Sequence, residues 1–323
     1  MTPMSPPATP RPHRRAVSQL LLGLLPLVAV GAVLVGLLAA QLPGARAPLA
    51  DATATAVARV VDVGQPPDDR GVLVTFDGED GEARTGRIVL AEPVAVEPGA
   101  EVTVRYDPTV AGGPSTTVYA DGDATTREVQ DLVAGVVVVA VVLLVAAVST
   151  ALVVLTRRRL RQRPVRALAA TRLVVRRGLL VRSWLELETD RGSRWLPVFW
   201  APELPGLAPG ERVELRGNPV TDRLVLPVVA GAEVWPSGRL RDQAPRGEQR
   251  APRPTDVAPP AGLARQVRVD LVAVFVAPLL GLVWAYLDEG GLASFAGGTA
   301  LSAAGVFWFF QRLGSDPEAP ARG

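Results

Sequence analysis

Four long apolar runs divide the chain into membrane-spanning and soluble parts. The runs at 20–40 and 132–155 carry no charge, and each is long enough to cross about 30 Å of hydrocarbon as a helix. Two shorter runs, 271–287 and 292–310, are separated by four residues and predict an antiparallel helical hairpin. A buried soluble hairpin is the alternative for this shorter pair. We expect four transmembrane helices, at 16–42, 131–155, 268–287 and 292–311.

Period-two alternation of apolar and polar residues replaces these runs in the two long intervening segments. Residues 72–76 and 102–106 alternate in this way, and Pro98-Gly99 supplies a turn between them. Such alternation with intervening turn residues is typical of half-buried antiparallel strands. We therefore expect a small antiparallel β module, barrel- or sandwich-like, at 43–130 and a second one at 156–235.

The two β modules share a sequence pattern. An ungapped offset of 111 residues aligns 98–108 with 209–219, with five identical positions. The same offset places Val74 on Leu185 and Phe76 on Leu187. A shift of one residue would place every side chain on the opposite face of the strand, so the retained alternation supports this alignment. The pattern predicts a degenerate internal duplication. Two unrelated modules that share a Pro-Gly turn are the alternative.

Three segments have the composition of disordered chain. Residues 236–260 contain six Pro and five Arg, and the two ends of the chain are also rich in Pro. Such segments bury too little apolar area to offset the entropy lost on ordering. We expect disordered tails at 1–15 and 312–323 and a disordered linker at 236–267.

Arginine is distributed unevenly around the apolar runs. Arg14 and Arg15 precede the first run, and five arginines between 157 and 163 follow the second. Residues 43–129 hold 7 Arg and 15 acids, whereas 156–268 hold 22 Arg and 11 acids. The positive-inside rule then predicts cytoplasmic termini and one β module on each side of the membrane. A cleaved signal peptide, with Ala45-Arg46-Ala47 as its cleavage site, is the alternative for the first run.

The composition excludes several kinds of chemistry. Hydrophobic residues make up 48% of the 323 residues, which argues against an ordinary soluble protein. The chain has 34 Arg and no Lys, which indicates a GC-rich genome and says nothing about function. Without Cys, and with a single His, the chain cannot form a disulfide, a thiolate nucleophile or a multi-His metal site. We expect no catalytic, cofactor-binding or metal-binding residues.

Acidic residues provide the remaining candidate sites. The densest cluster consists of Asp77, Glu79, Asp80 and Glu82. It does not match an EF-hand calcium loop, because Gly81 occupies the position where that loop needs its third acid. We interpret this cluster as a solvated hairpin turn, and Asp68-Asp69 as a second turn. Asp131 and Asp270 lie at span ends, so no charged residue marks an ion path inside the predicted spans.

Two further features concern partners besides the lipid bilayer. Ser294, Gly298 and Ser302 recur every four residues in the fourth span, where small residues favour close packing within the hairpin or between two copies of the chain. The Arg-rich stretch 157–166 sets the topology or binds anionic lipid. It has no nearby aromatic residues for base stacking, and we expect no nucleic-acid partner.

The first helix–module–helix unit has a set of recognisable features. They are an Ala/Val-rich strand at 54–63, a strand with a Gly-Asp hairpin at 74–78, and the sequence Pro-Gly-x-x-Val-x-Val-x-Tyr-Asp-Pro at 98–108. Over roughly residues 20–155 the chain resembles a widespread family of bacterial membrane proteins of unknown function. The second module departs from the family by having Gly217-Asn218 in place of Tyr-Asp. The resemblance implies a membrane location and no established activity.

The sequence therefore predicts a multipass protein of the bacterial cytoplasmic membrane with a non-enzymatic interaction or signalling role. The alternative is a subunit of a transport or envelope-assembly complex, and a membrane enzyme is a third hypothesis. An interaction role predicts a partner, such as another membrane or envelope protein, on at least one β module. A transport role predicts solute flux.

Overall fold

The computed structural model describes residues 10–66, 69–92, 96–251, 262–288 and 290–317. The chain forms two compact units. One unit comprises residues 32–142, and the other comprises residues 1–31 and 143–323. Each unit contains one antiparallel sheet and parts of the long helices. We call residues 32–142 the first unit, with the first sheet, and residues 1–31 and 143–323 the second unit, with the second sheet.

Two long helices contain the first two predicted spans. Helix α1 is Arg14–Ala50 and helix α2 is Ala124–Arg159. Both are long and apolar enough to cross a membrane, and only 11% of the most apolar window of α2 is buried within the protein. Apolar side chains such as Leu25 and Leu144 are more than half exposed. A helix surface of this kind suits a lipid environment.

The C-terminal apolar region forms three helices instead of the expected two. Helix α3 is Leu263–Val274, helix α4 is Ala277–Asp288 and helix α5 is Gly291–Leu313. Helices α3 and α4 are bent by 43° relative to each other, which corrects the predicted single helix at 268–287. Pro278 explains the break, because it lacks an amide hydrogen and its ring clashes with the carbonyl four residues earlier.

Among the described residues, three helices are therefore long enough to span a membrane by themselves, and the bent pair forms one further candidate span. The three are α1, α2 and α5. Helix α5 is capped by the next residue, Gly314, whose φ of 74° lies in the left-handed region that favours glycine.

The first sheet contains five antiparallel strands in the order β3-β2-β1-β4-β5. The strands are β1 Ala54–Gln65, β2 Gly71–Asp77, β3 Ala83–Val89, β4 Glu101–Tyr106 and β5 Tyr119–Ala120. A parallel bridge between Arg87 and Thr117 connects the β3 edge to the segment that precedes β5. The core of the sheet includes Val74, Phe76 and Val104.

The second sheet contains seven strands, six of them in the order β11-β10-β9-β6-β7-β8, with β12 paired to β6. The strands are β6 Val165–Arg177, β7 Leu180–Thr189, β8 Gly192–Val198, β9 Glu211–Arg216, β10 Leu226–Val229, β11 Ala232–Glu233 and β12 Glu248–Arg250. The core includes Leu185, Leu187 and Leu215, all fully buried.

The two sheets share an order of strands. Read from the other edge, the second sheet runs β8-β7-β6-β9-β10, which corresponds to β3-β2-β1-β4-β5 in the first. The aligned residues Val74 and Leu185, and Phe76 and Leu187, are all buried in the cores, and Val102 is partly buried. Gly99 and Gly210 both have a positive φ in the turns before β4 and β9.

The offset of 111 residues does not hold for every strand. It matches β2 with β7 and β4 with β9, where alternation keeps its phase. In the third strands, Gly86 pairs with Val74 and Leu196 pairs with Leu185, which gives an offset of 110. The chain between the paired residues is therefore one residue longer in the β2–β3 hairpin than in the β7–β8 hairpin, so an alignment without gaps fails there.

Parts of the segments predicted as disordered pack on the second sheet. Arg11 forms a β-bridge with Ala232, Pro236 and Arg241 form bridges with β8, and β12 pairs with β6. The second module thus extends beyond residue 235. These corrections have one physical cause: the segments pair their backbones with sheet strands, and local composition does not reveal such long-range pairing. Residues 1–9, 252–261 and 318–323 lie outside the described residues.

Candidate functional site

Five polar residues form a buried cluster at one end of α1, α3 and α5. They are almost fully buried, and they are Gln19, Gln266, Asp270, Gln311 and Ser315. Gln19 lies in α1, Gln266 and Asp270 lie in α3, and Gln311 lies in the last turn of α5. The four-residue spacing of Gln266 and Asp270 places both side chains on one helix face. The turn at Gly314 then brings Ser315 back towards Gln311.

The Asp270 carboxylate is the centre of this cluster. Its Oδ2 accepts hydrogen bonds from Gln266 Nε2 at 2.7 Å, Gln311 Nε2 at 2.6 Å and Ser315 Oγ at 2.7 Å. Gln19 Nε2 donates to the Ser315 carbonyl oxygen at 3.2 Å. Three donors on one carboxylate oxygen fix the position of the Asp270 side chain between α3 and α5. Asp270 forms no ion pair with any residue in the described part of the chain.

The three glutamines leave their amide oxygens buried without hydrogen-bond partners among the described residues. Each unsatisfied buried acceptor costs about 1–3 kcal/mol. Carboxylate, amide and hydroxyl oxygens are the ligands that hard cations prefer. However, the described residues contain no group of three or more His, Asp or Glu side chains able to hold a metal ion. The cluster is chemically suited to hold α1, α3 and α5 together.

A buried ion pair continues the cluster into the second sheet. Asp316, the residue after Ser315, accepts hydrogen bonds from Arg172 of β6 at 3.0 Å and from Ser183 Oγ of β7 at 2.6 Å. Both charged side chains are almost completely inaccessible to solvent. The Asp316 amide also donates to the Val181 carbonyl oxygen at 2.9 Å. The end of α5 is thereby fastened to two adjacent strands.

His13 is a structural residue of the second unit and not part of a disordered tail. Its Nδ1 accepts a hydrogen bond from the Trp235 amide at 2.7 Å, and its Nε2 lies 3.3 Å from the Trp200 carbonyl oxygen, to which it donates. Burial lowers the pKa of His13 to about 4. The imidazole is therefore neutral at physiological pH and fixes the chain before α1.

The acidic cluster in the first unit is a hairpin turn, as predicted. It lies between β2 and β3, where Gly81 has a φ of 77°. Asp80 pairs with Arg84 at 2.6 Å, and this hydrogen bond lowers the pKa of the Asp80 carboxyl. Asp69 lies in the β1–β2 turn with a positive φ, and Asp68 lies outside the described residues.

The Tyr-Asp-Pro motif at 106–108 fixes two turns of the first unit through side-chain hydrogen bonds. The Tyr106 hydroxyl accepts a hydrogen bond from the Glu79 amide at 2.9 Å, so it anchors the acidic hairpin. Asp107 Oδ1 accepts from the Thr109 amide at 2.8 Å. In the second sheet, Asn218 Oδ1 accepts from the Val220 amide at 3.0 Å in the same manner. The motif thus forms the same side-chain turn after β4 and after β9.

The small-residue face of α5, the Arg-rich stretch after α2 and Asp131 all make contacts within the protein. A Cβ atom at Gly298 would lie 3.0 Å from Trp284 of α4, so this position of the small-residue face packs within the α4–α5 hairpin. Arg157 is buried and its Nε donates to the Pro236 carbonyl oxygen at 2.8 Å. Asp131 pairs with Arg127 at 3.4 Å on the surface of α2.

Sequence reasoning missed the buried cluster, although a weak signal was present. Each glutamine is an uncharged polar residue in a helix where apolar residues predominate. Such a residue in a predicted span needs a partner, because hydrocarbon offers none. The partners of Gln311 and Gln19 are 41 and 296 residues away in the chain, so the sequence did not show which residues meet.

No known protein family, curated protein or solved structure matches the chain.

Proposed function

We propose that the chain is a multipass protein of the bacterial cytoplasmic membrane that acts as a non-enzymatic interaction or signalling component. In this proposal the spans are α1, α2, the bent α3–α4 pair and α5. The Arg-rich flanks support cytoplasmic termini, an extracytoplasmic first sheet and a cytoplasmic second sheet. Membership of the bacterial membrane-protein family suggested by residues 98–108 is part of the same proposal.

The observation that carries the proposal is the continuous polar connection between helices and the second sheet. Gln19, Asp270 and Gln311 connect α1, α3 and α5, and Ser315-Asp316 extends the connection to β6 and β7. Interlocked buried hydrogen bonds fix one relative position of these elements. A rearrangement of the helices therefore has to move or break the Arg172–Asp316 contact. Such coupling suits a protein that relays the state of its membrane part to a binding surface.

The duplicated strand order supports the interaction role. In our proposal, one β module was duplicated and the two copies kept their cores while their surfaces diverged in charge. Each copy would then meet its own partner, such as another membrane or envelope protein. Self-association through α5 is a further proposal, and we propose no nucleic-acid partner.

Site-specific crosslinking in cells tests the interaction role. A photoreactive residue replaces Thr103 on the first sheet or Glu214 on the second, because both side chains are exposed. Discrete protein adducts identified by mass spectrometry are expected at one or both positions. The variant D316N should change the adducts formed at 214 and leave those at 103 unchanged. An absence of protein adducts at both positions would reject the proposal.

Asp270 favours a transport subunit as the second candidate function. An ionisable residue buried among candidate spans is a feature of ion and proton pathways. This role predicts cation or proton flux in proteoliposomes that the variant D270N abolishes and the control D131N preserves. Wild-type protein without flux would reject this candidate and leave the interaction role intact.

A further inference from the structure

A cavity of about 740 Å³ lies beside the end of α5 in the second unit. Its lining includes four arginines, Arg177, Arg182, Arg241 and Arg246, and one acid, Asp242. Asp242 forms an ion pair with Arg194, which does not line the cavity. None of the four lining arginines forms an ion pair with the residues that the structure describes. The cavity is thus strongly positive.

Two of these arginines lie on one aromatic ring. The guanidinium groups of Arg182 and Arg241 lie 5.5 Å and 5.0 Å from the ring centre of Trp184. The Trp184 side chain is buried, so it provides a fixed platform for both groups. Stacking on a ring fixes the plane of a guanidinium group and leaves its edge free to bind an oxyanion.

The one acid of the cavity, Asp242, pairs with Arg194 and not with the two arginines on Trp184. The Nε–H group of Arg182 is buried and has no acceptor among the described residues, although its terminal nitrogen donates to Ser237 Oγ at 2.9 Å. Burial, followed by the charge of Arg241, lowers the pKa of Arg182 to about 10. A buried cation next to a second cation is costly, and a bound anion would offset this cost.

The position of the cavity favours a lipid as the source of that anion. Leu313, the last residue of α5, lines the cavity, so the cavity lies at headgroup level if α5 spans the membrane. The neighbouring hairpin tip between β6 and β7 has an exposed leucine, Leu179, directly after Arg176-Arg177-Gly178. Exposed apolar residues flanked by arginine are typical of surfaces that contact anionic membranes.

We propose that the cavity between Trp184, Arg182 and Arg241 binds the phosphate group of an anionic phospholipid headgroup. The arginine forks bind the phosphate oxygens, and Leu179 and Leu313 contact the start of the acyl chains. This inference rests on the proposed membrane placement of α5 and is independent of the interaction role. Failure to find a protein partner would therefore leave it untouched.

Native mass spectrometry of the full-length protein in detergent tests the proposal. Phosphatidylglycerol, phosphatidylcholine and inorganic phosphate are titrated separately against wild type, R241Q/R246Q and the control R191Q/R212Q. All four substituted arginines are exposed, and the control removes the same charge outside the cavity. We expect preferential binding of phosphatidylglycerol, weakened about tenfold or more in R241Q/R246Q and unchanged in the control.

Other results would overturn the proposal. Equal phosphatidylglycerol affinity in wild type and R241Q/R246Q would remove the cavity as the binding site. Equal weakening in the control would reduce the effect to net charge. Cavity-dependent binding of inorganic phosphate without a preference for phosphatidylglycerol would assign the site to a soluble phosphate and not to lipid.

Discussion

Replacement of Asp316 by alanine should destabilise the second unit strongly. The substitution removes the carboxylate that pairs with the buried guanidinium of Arg172, a residue that is about 4% exposed. Loss of one member of a buried ion pair costs about 3–5 kcal/mol. The contacts with Arg172 and Ser183 give a similar figure, because a hydrogen bond to a charged group contributes about 1.5–3 kcal/mol.

Tryptophan fluorescence during urea unfolding measures this effect in the detergent-solubilised protein. All six Trp residues lie in the second unit, so the signal reports that unit alone. The control is D242A, which removes the partner of Arg194 in an ion pair whose Asp242 side chain is 75% exposed, and it should cost at most about 1 kcal/mol. The double variant R172M/D316L should recover most of the lost stability, since no buried charge remains.

The reasoning would be refuted by D316A unfolding within about 1 kcal/mol of wild type. It would also be refuted if R172M/D316L were less stable than D316A. In either case the ion pair would not fasten the end of α5 to the sheet.

Two further predictions concern single side chains. The pKa of His13 is about 4 in the folded chain and about 6.5 in the unfolded chain, so the unfolded chain binds a proton first as the pH falls. The free energy of unfolding of the second unit should therefore decrease by up to about 3 kcal/mol between pH 6.5 and pH 4. The variant H13Q should lack this loss in urea titrations at both pH values, and an unchanged loss would contradict the assignment. In Y106F the Glu79 amide loses its acceptor, so its hydrogen exchange should accelerate several-fold, whereas Y286F, at an exposed site, should leave it unchanged.

The periodic parts of the fold could be predicted from the sequence. Continuous apolar runs predicted α1 and α2, because apolar side chains lie all around these helices. Alternation predicted β2 and β4, because only one face of each strand packs in the core. The break at Pro278 was readable in principle from the chemistry of proline.

Long-range polar contacts could not be predicted in this way. His13 lies in a Pro-rich segment, and its burial depends on Trp200 and Trp235, which are about 190 and 220 residues away. The cluster around Asp270 likewise draws its members from three separate helices. A local pattern reports which side chains are polar, but not which of them meet.

The central claim is a membrane protein with one β module on each side, and a topology measurement tests it most directly. Accessibility reporters are placed at residues 110, 245 and 320 of the full chain in cells. The account predicts that 110 reports the outside and that 245 and 320 report the cytoplasm, because α2 crosses the membrane once between 110 and 245. Residues 110 and 245 on the same side would contradict it.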